Sequence, residues 1–146
     1  MNLPDHLALD TNCFIYLFEQ SDQPRGRYVL EHVLRPAARG QHRPITLALV
    51  LAELLVQPYR LGLPDRAEAL TRAVTALPGL TIQPVDVGIA SAAARLSGRL
   101  GIPLSDAIVL ATAADAGAVL ITNDQRLVCA AEPGAVLLLD ELVAAG

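Results

Sequence analysis

A chain of 146 residues, 53% hydrophobic and 18% charged, has material for one packed domain and too little length for two ordinary ones, and it does not read as a disordered tail. A net charge of −4 argues against broad non-specific binding to nucleic acid, and an aromatic content of 3% without Trp argues against platforms for stacking bases. All eleven basic residues are Arg, so the absence of Lys excludes a P-loop and Schiff-base chemistry.

In chain order, His6 to Leu9 is a short apolar strand ending at Asp10. Asp10-Thr11-Asn12 offers capping groups for a helix through Cys13 to Phe18, broken by Ser21 to Pro24. Tyr28 to Ala38 reads as helix. Arg43-Pro44 reads as loop, and Ile45 to Leu49 as a buried strand running into a helix around Glu53 that Pro58 ends. Pro64-Asp65 opens a helix closed near Pro78-Gly79, and Leu80 to Val85 is a strand. Asp86 caps a helix carrying Ile89, Ala93, Leu96 and Leu100 at helical spacing, stopped by Gly101. Pro103 and Ser105 start another, which Gly117 ends. Ala118 to Ile121 is a strand followed by Thr122-Asn123-Asp124, and a last strand, Ala135 to Leu139, leads into a short end. Strands that are apolar on both faces and alternate with helices predict a single α/β domain over 1–146 with a parallel sheet covered on two sides.

Cys13 and Cys129 lie far apart, in no CxxC pair, and read as free thiols in a reducing compartment. No signal peptide is legible at Met1 to His6. The longest apolar run, Ile45 to Val56, contains Glu53 and falls short of the ~20 residues a bilayer needs. The expectation is a cytoplasmic protein with no membrane association.

Open parallel sheets bind ligands outside the carboxyl ends of their strands. Asp10 and Asp124 follow two such ends, and Asp106, at a helix start, can reach the same edge. Glu53 is flanked by apolar residues, which points to partial burial, costly for a carboxylate without a partner. Each acid also has an ordinary use: Asp10 and Asp106 as helix caps, Asn123-Asp124 as a turn, Glu53 as an exposed helix position. Gathered at one edge, the four would repel one another, and a divalent cation would relieve that directly. An all-oxygen ligand set favours Mg²⁺ or Mn²⁺ over Zn²⁺, and His6, His32 and His42 are scattered. Thr11, Asn12, Ser105, Thr122 and Asn123 flank the acids and suit either orientation of the carboxylates or capping and turns.

Four blocks carry a resemblance: Leu9 to Tyr16, Leu51 to Leu55, Gly101 to Ala113, and Gly117 to Asp124. In that order, each with its acid, they resemble PIN domains, and the size and layout are most similar to the VapC-type toxins of toxin–antitoxin pairs. The resemblance implies a three-layer fold with a parallel sheet of about five strands between helices. It implies a Mg²⁺- or Mn²⁺-dependent endoribonuclease, usually a homodimer, whose active groove a cognate antitoxin occupies. Asp10, Glu53, Asp106 and Asp124 match the family's acidic positions, and Thr11 and Asn12 its polar companions. The expected chemistry is in-line hydrolysis by activated water, with metal held mainly by Asp10, Asp106 and Asp124, leaving a 5′-phosphate and a 3′-hydroxyl.

Arg25, Arg27, Arg35, Arg39 and Arg43 make the most basic stretch of the chain and suit RNA phosphates, an acidic partner or a solvated helix face. A haloacid-dehalogenase phosphatase would need a second Asp where Asn12 stands, and a receiver domain needs a late Lys. The main alternative is a catalytically silent PIN-fold module that binds RNA or protein.

Overall fold

Strands β1 (His6–Leu9), β2 (Arg43–Leu47), β3 (Thr81–Gln83), β4 (Val119–Thr122) and β5 (Val136–Leu138) run parallel in one sheet ordered β3-β2-β1-β4-β5. The coordinates are a computed structural model and describe residues 2–146. The helices are α1 (Thr11–Glu19), α2 (Pro24–Tyr28), α3 (Arg35–Ala38), α4 (Ala48–Arg60), α5 (Pro64–Thr75), α6 (Val87–Leu100), α7 (Leu104–Asp115), α8 (Gln125–Ala130) and α9 (Leu139–Ala145). The expected α/β architecture, a five-stranded parallel sheet flanked by helices, is the observed one.

The chain leaves β1 toward β2 and β3, then returns past β1 to β4 and β5. Right-handed crossovers therefore put α1 to α5 on one face of the sheet and α6 to α8 on the other. The reversal makes the carboxyl ends of β1 and β4 the topological switch point, where such sheets open a crevice. Leu7, Leu9, Leu47, Leu120 and Ile121 are fully buried in the strands, and Phe14, Val33, Val50 and Leu127 pack on them from the helices. Strand side chains buried on both faces leave only the strand ends for polar chemistry.

Several boundaries differ from the sequence expectation, for physical reasons. Arg43 and Pro44, expected in a loop, begin β2. The Arg43 N–H donates to the Asp5 carbonyl on the β1 side, so the Pro44 nitrogen faces the other way. There β3 has not begun, since its pairing starts opposite Ile45, and no ladder bond is lost. β2 ends at Leu47, and Ala48 and Leu49 already belong to α4. Pro58 does not end α4, which runs on to Arg60. A proline within the last turn removes one helical hydrogen bond, and Pro58 and Leu54 are both buried against the body of the protein. β3 covers only Thr81–Gln83 of the expected Leu80–Val85. Helices α8 and α9 replace the expected turn and short end. Each is six or seven residues long and held by buried leucines, Leu127 in one and Leu139 and Leu142 in the other.

The expected helix Tyr28–Ala38 is continuous with α2 but passes through a π-helical turn, Val29–Leu34. Pro36 offers no N–H to the His32 carbonyl four residues back. The His42 ring nitrogen bonds that carbonyl instead, at 2.9 Å, while the Arg35 N–H reaches the Leu30 carbonyl.

Gly26, in α2, is where the backbones of α1 and α2 meet. A Cβ there would collide with the carbonyl oxygens of Gln20 and Tyr16 at the end of α1. Gly26→Ala should therefore destabilise the fold by about 1–3 kcal/mol, read as a shift in the urea unfolding midpoint.

Candidate metal centre

Asp10 is the N-cap of α1 and the first residue beyond β1. Its Oδ1 accepts the Thr11 N–H at 2.8 Å and its Oδ2 accepts the Thr122 hydroxyl at 2.7 Å, so the carboxylate is held by the ends of both switch-point strands. The same Thr122 oxygen accepts from the Asn12 side-chain amide at 3.1 Å and from the Asp124 N–H at 3.0 Å. Asn12 Oδ1 accepts the Asn123 N–H at 3.2 Å. Asp10, Asn12, Thr122, Asn123 and Asp124 thus form one polar network across β1 and β4. Asp124 also caps α8, so the capping and turn uses weighed from sequence coexist with the clustering.

Asp106 lies in the first turn of α7 and is mostly buried. Desolvation, then the charges of Asp124 and Asp10, push its carboxyl above the usual range, and Arg126 opposes them. Glu53, on α4, is exposed, not half-buried as its apolar neighbours suggest, because those neighbours point elsewhere around the helix. Its carboxyl is raised first by the water its protein-facing side excludes, then by the charges of Asp10 and Asp106. The four acids therefore feel one another across the carboxyl edge of the sheet. Thr11 faces Glu53 and favours its charged form, yet the Thr11 hydroxyl oxygen is buried with no hydrogen-bond partner. Ser105 is exposed and joins none of these bonds. Cys13 is buried beside Asp10, and burial pushes its thiol far above the ordinary range, so it is no nucleophile.

Arg126 went unremarked in the sequence. It pairs with Asp124 through Nε···Oδ1 at 3.2 Å and Nη2···Oδ2 at 3.0 Å, and its Nη2 stands 3.8 Å from Asp106. This contact holds Asp124 below the usual carboxylate range. Asp140 was also missed, although it follows the carboxyl end of β5 by two residues, where the strand-end rule places functional groups. Arg25 clamps Asp140 with two bonds of 2.7 Å and lies 4.8 Å from the centre of the Tyr16 ring. Asn123 donates to Asp140 and to the Tyr16 hydroxyl, which ties this second cluster to the first.

The five arginines of the basic stretch do not form one track. Arg25 stands at the acidic edge. Arg27 donates to the Asp22 carbonyl, Arg35 and Arg39 are exposed around α3, and Arg43 pairs with His6 at the opposite, amino edge of the sheet.

The donor set suits a hard divalent ion: carboxylates and a hydroxyl, with no His or Cys thiolate among them. The unpartnered Thr11 oxygen and the raised acids Glu53 and Asp106 add to that fit. Among the described residues, however, no three His, Cys, Asp or Glu side chains stand close enough together to hold an ion as they lie. Asp10 is committed to Thr11 and Thr122, and Asp124 to Arg126.

A family model for the PIN domain matches residues 7–133. The chain belongs to the PIN domain family. No curated protein matches the chain in sequence. Among solved structures, a toxin–antitoxin complex from Klebsiella pneumoniae contains a similar chain, 21% identical, with a TM-score of 0.67 over 91% of this chain and 97% of that one. FitAB bound to an IR36 DNA fragment is similar at 19% identity and a TM-score of 0.71, over 91% and 94% of the two chains. DNA-bound VapBC from Salmonella typhimurium is similar at 19% identity and a TM-score of 0.67, over 92% and 98%. At these identities the likeness is one of fold, and it extends over nearly the whole PIN domain.

Asp140 lies below the ordinary aspartate value of 3.8, chiefly because Arg25 bonds its charged form. A lowered carboxyl stabilises the folded state above that value and loses the contribution as pH falls through its folded pKa. Asp140→Asn should therefore melt below the parent at pH 7, and the gap should shrink as pH drops beneath 3.8. Thermal melts across pH 7 to 3 read it.

Proposed function

We propose that this PIN domain is a metal-dependent endoribonuclease acting as the toxin of a type II toxin–antitoxin pair. The observation that supports the reading is that Asp10, Glu53, Asp106 and Asp124 lie near enough at the sheet edge to feel one another's charge, Glu53 and Asp106 being raised first by desolvation and then by these acidic neighbours. Asp10, Asp106 and Asp124 would hold Mg²⁺ or Mn²⁺, with Glu53 approaching from α4. Such an ion supplies Lewis acidity toward a phosphodiester oxygen and toward water. Thr122 and the Thr11 N–H fix the Asp10 carboxylate in one orientation, and Asn12 and Asn123 keep the β1 and β4 ends in register. Oriented carboxylates of this kind bind an ion more tightly than free-swinging ones. No side-chain nucleophile is needed, and products with a 5′-phosphate and a 3′-hydroxyl are expected.

Beside Glu53, a groove of about 700 Å³ runs between α1, α4 and α5. Phe14, Ile15, Phe18, Leu54, Leu61 and Leu70 line it. The similar chain from Klebsiella pneumoniae sits in a toxin–antitoxin complex, and for this chain the groove suits an apolar segment of a cognate antitoxin. A homodimer in the cytoplasm completes the reading. The binding-only alternative draws on one observation, that the acids as they lie are not gathered into an ion-holding geometry.

The test is cleavage of labelled single-stranded and structured RNA in Mg²⁺, Mn²⁺ or EDTA, with Asp10→Asn purified in parallel. The parent should cut, EDTA should stop it, and the variant should be weaker by about 100-fold or more. Mn²⁺ should also raise the parent's melting temperature and leave the variant's nearly unmoved. A full rise in the variant would remove Asp10 from the ligand set. A metal-induced rise without cleavage of any RNA would favour the binding-only module.

A further inference from the structure

Arg126 holds the two acids that an incoming ion would need. It follows Asp124 by two residues at the start of α8, where the Asp124 carboxylate also accepts its backbone N–H at 3.0 Å. Its guanidinium forks onto both Asp124 oxygens and reaches Asp106 at 3.8 Å, bridging a strand-end acid and a helix-start acid 18 residues apart in sequence. Asp106 and Asp124 are largely covered, with side-chain exposures of 18% and 24%, whereas Arg126 is 72% exposed. The acids are thus fixed in the protein and the cation is free to swing into solvent. A guanidinium and a hard divalent ion answer the same repulsion between the same carboxylates, and both cannot take the same oxygens at once.

We propose that Arg126 is a built-in counter-cation of the acidic edge, which holds Asp124 and Asp106 until a divalent ion displaces it. This rests on the reading of the edge as a divalent-metal site and adds an element of regulation to it. Arg126 sets a threshold concentration below which the edge is neutralised by the protein's own charge.

Two mechanisms would make Arg126 oppose metal binding, and they differ in where the energy resides. A displaced counter-cation stabilises the protein only without metal. A bystander charge does nothing without metal and weakens the loaded protein. Arg126→Gln and the parent should be compared by calorimetric titration with Mn²⁺ and by thermal melts with EDTA and with saturating Mn²⁺. The expected result is a Kd for Mn²⁺ lower by about twofold to fivefold in the variant. Its melting temperature should fall by about 1–3 °C in EDTA and match the parent's at saturation. Equal melting in EDTA with a higher value at saturation would overturn the proposal in favour of a bystander charge. An unchanged or weaker Kd would overturn it outright while leaving the metal centre standing. If neither protein binds Mn²⁺, the metal reading fails and this inference with it.

Discussion

Negative charge drawn to one edge of a parallel sheet is the constraint on which the rest of this structure depends. The switch in strand order brings the ends of β1 and β4 side by side, and the strands behind them are buried on both faces. Acids placed there cannot retreat into the core and feel one another's charge across the edge. Partial desolvation, then the charges of neighbouring acids, raises Glu53 and Asp106, so the edge carries an electrostatic load.

The protein manages that load with neutral and cationic partners on separate elements. Thr122, a buried hydroxyl at the end of β4, donates to Asp10 and accepts from Asn12 and the Asp124 backbone, so one side chain ties both strand ends. Asn123 extends the network to Tyr16 and Asp140, and Arg25 closes it from α2. The close approach of α1 and α2 at Gly26 is what brings Arg25 within reach of Tyr16. Arg126 acts on the other flank, at Asp124 and Asp106.

Much of this was legible in the sequence because the strongest signals were local. Apolar strands bounded by Gly and Pro predict the sheet, and Asp at two of their carboxyl ends and at one helix start marks three of the four candidate acids. Glu53 was legible as a candidate, but its exposure was not, since apolar flanks in sequence become different faces once a helix forms. Helices α8 and α9 were missed because such short segments have too few turns for periodicity and depend on tertiary burial of Leu127, Leu139 and Leu142. Pro44 and Pro58 misled for a related reason. Their cost depends on where the missing N–H would point, which only the neighbouring strand or the end of the helix decides. Arg25 and Asp140 are separated by 115 residues, and their pairing has no sequence signature. The basic stretch looked continuous along the chain, yet Arg25 and Arg43 end at opposite edges of the sheet.

The central claim is that this acidic edge is a divalent-metal centre in a PIN domain. Crystals grown or soaked with Mn²⁺ and recorded at a wavelength where manganese scatters anomalously would test it most directly. The account predicts at least one anomalous peak within coordination distance of oxygens from Asp10 and from Asp106 or Asp124, with the Arg126 guanidinium turned away. Manganese bound only elsewhere on the molecule, with Arg126 still seated on Asp124, would contradict it.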